Sequence, residues 1–498
     1  MSLRDDSVFP APVYRRTVLA PLFDGAKRHY LESFRRIDRA HCAMLAETGI
    51  LARGEAGAIA RALAAIEREL DVASLAYDGS VEDFFFLVER ELRQRLGADL
   101  AGRLHTGRSR NDIDHTNFRI VLKSRLDRVL GLSADLADAL LGAARRERDT
   151  LIVAYTHGQP AQPSTFGHYL GAAIEVALRD IARLEAARAV VDLCPMGAAA
   201  ITTSGFPLDR HRMAALLGFA APLENSYGCI AGVDYVTAPY AALRLMALHL
   251  GRLIQDMQFW SSFEVGQLYV PNAFVQISSI MPQKRNPVPI EHLRLIASLA
   301  AGRADTVLTT MHNTPFTDMN DSEGAVQEAG YAAFESAERM LELLAGLVSA
   351  VRIDSDRVRR NIDASCITIT ELADTLVREE GLSFRQAHEI AAHVGRHVVA
   401  AATNLRADGY APFRIAFETA TGRAPGLDAA EFARAVSPER FVAVRDRFGG
   451  PAPAALDAAF ERYAQALDAQ RAAALARTAR ETQATAELDA AFAALSEA

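Results

Sequence analysis

Residues 236–262, VTAPYAALRLMALHLGRLIQDMQFWSS, carry the strongest periodic pattern in the chain. Their large apolar side chains recur at alternating steps of three and four, the a/d pattern of a helix that packs along its length against other helices. These side chains are Leu243, Met246, Leu250, Leu253, Met257 and Trp260. The pattern predicts one long amphipathic helix near the middle of the chain.

Four further segments on both sides of this one have helical spacing of apolar residues. They are 116–145, 165–190, 290–312 and 324–350. Each apolar stripe must be buried against another, so five long segments predict a helical bundle. Strand signals are scarce. We expect an all-α fold of three helical domains, 1–105, 106–360 and 361–498, with the long central helical bundle in the second.

The composition excludes several classes of protein. Of the 498 residues, 50% are apolar and 23% are charged, and the formal charge is −8 with dispersed basic residues. A nucleic-acid or anionic-membrane binder would instead show a basic face. The four cysteines form no Cys-x-x-Cys pair, and no uncharged apolar run approaches the roughly 18 residues of a membrane helix. We expect a cytoplasmic protein that binds neither nucleic acid nor membrane.

Three polar stretches interrupt the predicted helices, and the first is TGRSRND at 106–112. Arg110, Ser109 and Asn111 at the start of a long helix would offer an anion a guanidinium, a hydroxyl, an amide and free backbone N–H groups. The same residues also suit an ordinary helix start, with Ser109 or Asn111 as the N-cap. Both interpretations stay open on this stretch alone.

The second stretch, YTHGQPAQPST at 155–165, is interpreted as a rigid turn that carries His157. A lone loop histidine is more often a surface residue than an acid or base. The third stretch, QISSIMPQKRNP at 276–287, predicts a flexible loop in which Ser278 and Lys284 serve one ligand. A lysine-bearing surface loop is the alternative interpretation.

In this order the three stretches resemble the three signature regions of the fumarase/aspartase superfamily. The third signature there is Gly-Ser-Ser-x-Met-Pro-x-Lys-x-Asn-Pro, and residues 277–287 match it except that Ile277 replaces the glycine. Within the superfamily, residues 106–112 and 281–287 are most similar to argininosuccinate lyase. The resemblance covers nearly the whole chain.

The resemblance implies a cofactor-independent carbon–nitrogen lyase that eliminates an amine from a substituted succinate and releases fumarate. It also implies a homotetramer whose central helices form a twenty-helix core. Each active site would take its three signature stretches from three different subunits, so a monomer is expected to be inactive. The expected partners are the small-molecule substrate and further copies of this chain.

The matched positions imply a role for each signature residue. Ser278 is the expected general base, Lys284 stabilises the aci-carboxylate, and His157, paired with Glu291, passes a proton to the departing nitrogen. The residues expected to bind substrate are Ser109, Arg110, Asn111, Thr156, Gln159, Ser279, Met281 and Asn286. Arg285 is expected to add positive charge nearby, and no metal site is implied.

The chain departs from argininosuccinate lyase in regions expected to shape the amine pocket. That family has Glu-Asp-x-His where residues 82–85 are EDFF, and segments 225–234 and 314–322 have lost polar residues or a tyrosine. The amine-pocket candidates are Phe85, Tyr227, Phe316 and Asn320. We therefore expect an N-substituted aspartate whose amine need not be arginine, with ethylenediamine-N,N′-disuccinate (EDDS) or a related aminopolycarboxylate as the candidate substrate.

Three alternatives remain from the sequence. Argininosuccinate itself is the first. The second is a non-catalytic structural protein like the lens crystallins related to argininosuccinate lyase, which the complete set of signature residues disfavours. The third is another branch of the superfamily, such as adenylosuccinate lyase or a cycloisomerase, which usually has histidine where Gln283 stands.

Overall fold

The structure of the protein is a computed structural model that describes residues 9–497. Helices make up 71% of it. The helices before residue 110 are α1 (Pro12–Tyr14), α2 (Ala20–His29), α3 (Leu31–Glu47), α4 (Arg53–Glu69), α5 (Phe84–Leu96) and α6 (Ala98–Arg103). A π-helical turn spans Arg15–Leu19, and a 3-10 turn spans Val72–Ser74. The all-α prediction is confirmed.

The five predicted long helices are all present in the central part. The helices there are α7 (Arg110–Arg146), α8 (Phe166–Val191), α9 (Arg210–Leu216), α10 (Ser226–Ala231), α11 (Asp234–Trp260), α12 (Val288–Met311) and α13 (Gly324–Ala350). All six a/d residues of α11 are buried. Helix α11 packs on α8 and α12, and α13 packs on α12 and α7, so the long helices form one bundle.

Short strands connect the helices, in four two-stranded pairs. The strands are β1 (Leu151–Thr156), β2 (Gln159–Thr165), β3 (Leu193–Cys194), β4 (Ala221–Pro222), β5 (Leu268–Tyr269), β6 (Gln276–Ile277), β7 (Arg285–Asn286) and β8 (Arg352–Ile353). Strands β1 and β2 form an antiparallel hairpin, β3 pairs with β4 in parallel, and the pairs β5–β8 and β6–β7 are antiparallel.

The C-terminal part contains short helices followed by one very long one. These are α14 (Ser355–Ser365), α15 (Ile369–Glu380), α16 (Phe384–Ala400), α17 (Leu405–Asp408), α18 (Tyr410–Thr421), α19 (Ala429–Ala435), α20 (Pro438–Ala443) and α21 (Pro453–Ser496). Ser383 is the N-cap of α16 and Ser437 that of α20, and Gly381 ends α15 in the left-handed conformation.

The buried apolar residues fall into one large core and smaller ones. The large core joins α2–α9 and α11–α13 with α21, which returns to pack on α3, α4, α7 and α8. A second core lies within residues 366–436. The three-domain division at 105 and 360 stays a prediction. Within the described residues, no helix combines the length and the hydropathy that a membrane crossing requires.

Candidate functional site

The first polar stretch lies at the start of α7. Ser109 is the N-cap, its Oγ accepts the Asn111 N–H at 3.5 Å, and its own N–H donates to Asp112 Oδ1 at 2.9 Å. The capped-helix interpretation is therefore confirmed for Ser109. The side chain of Asn111 points away from the helix, because its Nδ2 donates to Asp318 Oδ2 at 2.9 Å and to the Ala200 carbonyl at 3.1 Å.

Arg110 pairs with two carboxylates of the preceding segment. Its Nη1 donates to Glu82 Oε1 at 2.9 Å and to Asp83 Oδ2 at 2.7 Å, and its guanidinium lies 5.1 Å from the centroid of the Phe86 ring. Burial alone would lower the pKa of Arg110, but the hydrogen bonds to Asp83 and Glu82 outweigh it and raise that pKa. A substrate carboxylate would meet a guanidinium that already has two acidic partners.

A cavity of about 400 Å³ opens beside these residues. Arg110 and Asn111 line it, together with the amine-pocket candidates Phe85 and Asn320. Phe84 and Phe85 are buried in the core and each presents part of its surface to the cavity, so packing and pocket lining coexist there. The first signature and this cavity thus form one continuous surface.

The other two amine-pocket candidates stack on each other. The rings of Tyr227 and Phe316 lie 6.0 Å apart between centroids with an interplanar angle of 29°, and both are exposed. Phe316 precedes Asp318, the acceptor of the Asn111 amide, by two residues. Phe85 and Asn320 therefore share the cavity lining with Asn111, and Tyr227 and Phe316 lie beside the segment that contacts its side chain.

The second polar stretch forms the β1–β2 hairpin rather than the expected turn alone. Thr156 and Gln159 are paired, and His157 and Gly158 form the two-residue connection with φ of 54° and 72°. Positive φ at both positions is the pattern of the type I′ turn that favours hairpins. The turn holds His157 exposed at the tip, where it also lines a cavity of about 650 Å³ against Phe441 and Arg445.

The third polar stretch projects from the bundle on a two-residue stem, the β6–β7 pair. Ile277 and Ile280 are 84% and 82% exposed, so no part of the described chain covers this loop. Ser278 Oγ accepts the N–H groups of Met281 at 3.1 Å and of Ile280 at 3.4 Å. Two backbone donors directed at one hydroxyl oxygen would stabilise negative charge on it.

The positive charges of this loop have different environments. Lys284 is exposed, whereas Arg285 is held by the preceding segment. The Nη2 of Arg285 donates to the Val270 carbonyl and to Asn272 Oδ1, both at 2.8 Å, and its guanidinium stacks 4.7 Å from the Tyr269 ring centroid. Arg285 therefore fastens the base of the loop, a role that the sequence pattern did not indicate.

The three signature stretches do not meet within one chain. Among residues 9–497, no hydrogen bond or ion pair joins the α7 start, the hairpin tip and the β6–β7 loop. Glu291 is exposed in the first turn of α12 and makes no such contact with His157. A complete site would need these stretches from more than one chain.

The cavity holds acidic residues that the sequence patterns did not identify. Asp114, Asp318 and Glu323 line it, and burial raises the pKa of Glu323 to about 7, with the Asp318 carboxylate adding to the shift. Asp114 lies one helical turn after Arg110 on α7, so its position next to the first polar stretch follows from the sequence. Nothing in the sequence brings Glu323 to the same place, because it arrives there with α13.

Comparisons with known proteins agree with this architecture. Residues 25–302 match the lyase family, and residues 366–443 match the argininosuccinate lyase C-terminal family. The chain is 64% identical over 491 residues to "Argininosuccinate lyase 2" of Agrobacterium fabrum, covering 99% of this chain and 97% of that protein. It is 33% identical over 434 residues to "Argininosuccinate lyase" of Methanocaldococcus jannaschii, covering 86% and 87%.

Solved structures share the fold over the whole length. An EDDS lyase variant with bound fumarate superposes with a TM-score of 0.86 at 29% identity, covering 99% of both chains. EDDS lyase in complex with formate gives the same TM-score and identity, covering 98% of this chain and 99% of that one.

Proposed function

The chain belongs to the argininosuccinate lyase branch of the fumarase/aspartase superfamily and is a carbon–nitrogen lyase, and we propose that it eliminates an amine from an N-substituted aspartate to release fumarate. One observation carries the proposal. Ser278 lies on a projecting loop with two backbone N–H groups on its Oγ, and Lys284 and Asn286 follow on the same loop. A serine oxygen with these donors can remove a carbon-bound proton, and the lysine and asparagine can stabilise the resulting anion.

We assign the first step to Ser278. Its Oγ, as the alkoxide, takes the proton from carbon 3 of the succinyl half, and the electron pair moves into the adjacent carboxylate to form an aci-carboxylate with a second negative charge. Lys284, Ser279 and Asn286 stabilise that charge. A serine hydroxyl is a weak acid, so the loop must close and exclude water around Ser278 for this step.

The second step breaks the carbon–nitrogen bond. The electron pair of the aci-carboxylate forms the double bond of fumarate, and the nitrogen leaves with the pair of the broken bond. His157, paired with Glu291 of another subunit, passes a proton to that nitrogen. The exposed position of His157 at a rigid hairpin tip suits a group that acts in a neighbouring chain's site.

The remaining signature residues hold the succinyl half. We assign its carboxylates to Ser109, Asn111 and Thr156, with Gln159 and Met281 at the margin of the site. Arg110 contributes through its guanidinium while Glu82 and Asp83 hold it in place. Fixed donors of this kind orient the carbon 3 proton toward Ser278 and the nitrogen toward His157.

We propose a homotetramer built on the long central helices. Leu245 and Leu248 on α11 and Leu295 and Leu299 on α12 are large apolar side chains exposed on the bundle surface. Large exposed apolar patches indicate protein interfaces. Association through this face would bury the four leucines and bring the three signature stretches together from three subunits.

The substrate is tested by fumarate release. The 64% identical relative bears the name of argininosuccinate lyase, and the solved structure with a TM-score of 0.86 is an EDDS lyase, so argininosuccinate and EDDS are the two substrates to compare. We expect fumarate, followed by its ultraviolet absorbance, from an N-substituted aspartate. Absence of fumarate with both would contradict the proposed function and favour a structural protein.

Ser278→Ala provides the matched test of the mechanism. We expect kcat to fall by at least about a thousandfold, because the proton at carbon 3 loses its base. Ser74→Ala, in the exposed Val72–Ser74 turn outside the proposed site and interface, is the control and should leave kcat unchanged. Normal turnover by Ser278→Ala would show that another group is the base.

A further inference from the structure

The cavity beside the first signature has far more negative than positive charge. Its described lining contains one basic side chain, Arg110, and five carboxylates, which belong to Glu82, Asp83, Asp114, Asp318 and Glu323. Glu82 and Asp83 are the two ion-pair partners of Arg110. The other three carboxylates have no lysine or arginine partner among the described residues.

The three unpaired carboxylates are partly withdrawn from water. Burial raises the pKa of Asp114 well above its usual range, and repulsion from Glu323 and Asp83 raises it further. Burial likewise raises the pKa of Glu323 to about 7. A cation that enters between these groups would favour their charged form, because burial has removed part of the hydration of Asp114 and Glu323 and neither has a lysine or arginine partner.

Asp318, on the same wall, has a carboxylate oxygen without a hydrogen-bond donor. The Oδ1 atom of Asp318 is buried and accepts no hydrogen bond, and it lies 3.7 Å from Nε2 of His115. That ring nitrogen also has no hydrogen-bond partner, and the His115 side chain is 1% exposed. Buried polar atoms are normally satisfied, so the unpartnered Oδ1 of Asp318, a residue that lines the cavity, is open to a hydrogen-bond donor of a bound group.

We propose that this cavity receives the amine half of the substrate and selects amines that carry a positive charge and no carboxylate of their own. The inference rests on the proposed function, in which Asn111 holds the succinyl half at the edge of the cavity. Its volume of about 400 Å³ lies within the usual range of ligand pockets. Guanidines and diamines have the required chemistry.

The same charges disfavour two other kinds of amine. The second succinyl group of EDDS would bring two carboxylates toward Asp114 and Glu323, and the α-carboxylate of arginine would bring one. Neither would find an uncommitted cation in the described lining, because Arg110 is already paired twice. Removing carboxylates from the amine half should therefore improve the substrate.

Three substrates that share the succinyl half separate these possibilities. They are argininosuccinate, its analogue without the α-carboxylate, and EDDS. We expect kcat/KM for the decarboxylated analogue to exceed that for argininosuccinate by at least about tenfold, and that for EDDS by more. A preference for EDDS, or equal rates with argininosuccinate and its analogue, would overturn the inference and leave the proposed lyase activity standing.

Glu323→Gln tests the role of the cavity charge directly. It should raise KM for the decarboxylated analogue about tenfold with little change in kcat, and should reduce the discrimination against EDDS. Glu335→Gln, an exposed acid on the same helix α13, is the control and should change neither constant. An unchanged substrate preference in Glu323→Gln would contradict the inference.

Binding of the amine products alone tests the selectivity of the cavity separately from the lyase activity. If none of the three substrates yields fumarate, the proposed function fails, and calorimetry with the amines alone then decides the inference. (4-Aminobutyl)guanidine should bind the wild-type protein at least about tenfold more tightly than arginine, and Glu323→Gln should remove that difference. Equal binding of the two amines would overturn the selection for carboxylate-free cations.

Discussion

Asp112 is a fully buried carboxylate that joins two separate segments through backbone amides. It accepts the N–H groups of Ser109, Gly197 and Ala199 at 2.9–3.0 Å. Burial raises its pKa to about 6, although the three amide donors act in the opposite direction. The next residue of the second segment, Ala200, accepts the Asn111 amide, so Asp112 helps to position the side chain that we propose binds a substrate carboxylate.

Asp112→Asn should destabilise this junction. The amide nitrogen of asparagine would face a backbone N–H group and leave at least one buried donor unsatisfied, so we expect the free energy of unfolding to fall by about 2–4 kcal/mol. Urea denaturation measures this loss. Asp135→Asn, on the exposed face of the same helix, should change stability by less than about 0.5 kcal/mol. Equal stability of the two variants would disprove the role of Asp112.

Glu323 should make stability depend on pH. Its folded-state pKa of about 7 lies above its usual value of 4.5, so the unfolded chain releases the proton first and the native state becomes less favoured as pH rises between these values. Asp318, Asp83 and Asp114 face it with like charge, and Arg110 opposes them.

Glu323→Gln removes this cost. We expect its gain in unfolding free energy over the wild type to grow from about 1 kcal/mol near pH 5.5 to about 3 kcal/mol near pH 8. Denaturant titrations at the two pH values provide the measurement. A gain that is constant with pH would show that the carboxylate does not titrate in this range.

The β1–β2 hairpin is an element that the sequence patterns did not predict. Its second strand contains Pro160 and Pro163, which normally argue against a strand because proline donates no ladder hydrogen bond. In a two-stranded hairpin one edge of each strand is free, and prolines are tolerated there. The positive φ at His157, a non-glycine residue, was equally hidden, since only the paired strands impose it.

Helices α11 and α13 depend on a close contact at Gly330. A Cβ added at this position would lie 2.1 Å from the Tyr240 hydroxyl oxygen and 2.4 Å from its Cζ. Tyr240 is fully buried, so its ring could move away only by displacing other core side chains.

Gly330→Ala should therefore cost at least about 2 kcal/mol of unfolding free energy, because overpacking outweighs the higher helix propensity of alanine. Gly346→Ala, on the same helix, meets nothing closer than 3.9 Å and should raise stability by about 0.5–1 kcal/mol. Thermal unfolding of both variants checks the contrast. Similar transition temperatures would mean that the Tyr240 ring moves aside for the added methyl group at little cost in free energy.

At the scale of the whole molecule, the separation of the three signature stretches predicts complementation between inactive chains. Ser278→Ala and His157→Ala remove groups from different stretches, so each variant alone should be inactive. A mixture assembled at random should recover about a quarter of wild-type activity. Each site needs an intact Ser278 from one chain and an intact His157 from another, and each of these is present with a probability of about one half.

The measurement is fumarate release after the two variants are dissociated together and reassembled. Each variant carried through the same treatment alone is the control and should stay inactive. If the mixture shows no more activity than the two parents, the catalytic serine and histidine of a site come from one chain.

The bundle, the caps and the identity of the signature stretches follow from local patterns. Leu243 to Trp260 specify α11 because burying a stripe at helical spacing requires no knowledge of the partner helix. Ser109 and Ser437 specify helix starts because a cap satisfies amides only two or three residues away. The superfamily resemblance rests on such contiguous stretches as well.

Tertiary structure alone decided the charge of the cavity beside Arg110. Glu82 and Asp83 from the segment before α5, Asp114 from α7, and Asp318 and Glu323 from before α13 converge on one space. Electrostatic energy depends on distance through space and on burial, neither of which is encoded by spacing along the chain. For the same reason Arg110 looked like a free anion-binding group and is in fact paired, while the acids opposite it now define the expected substrate.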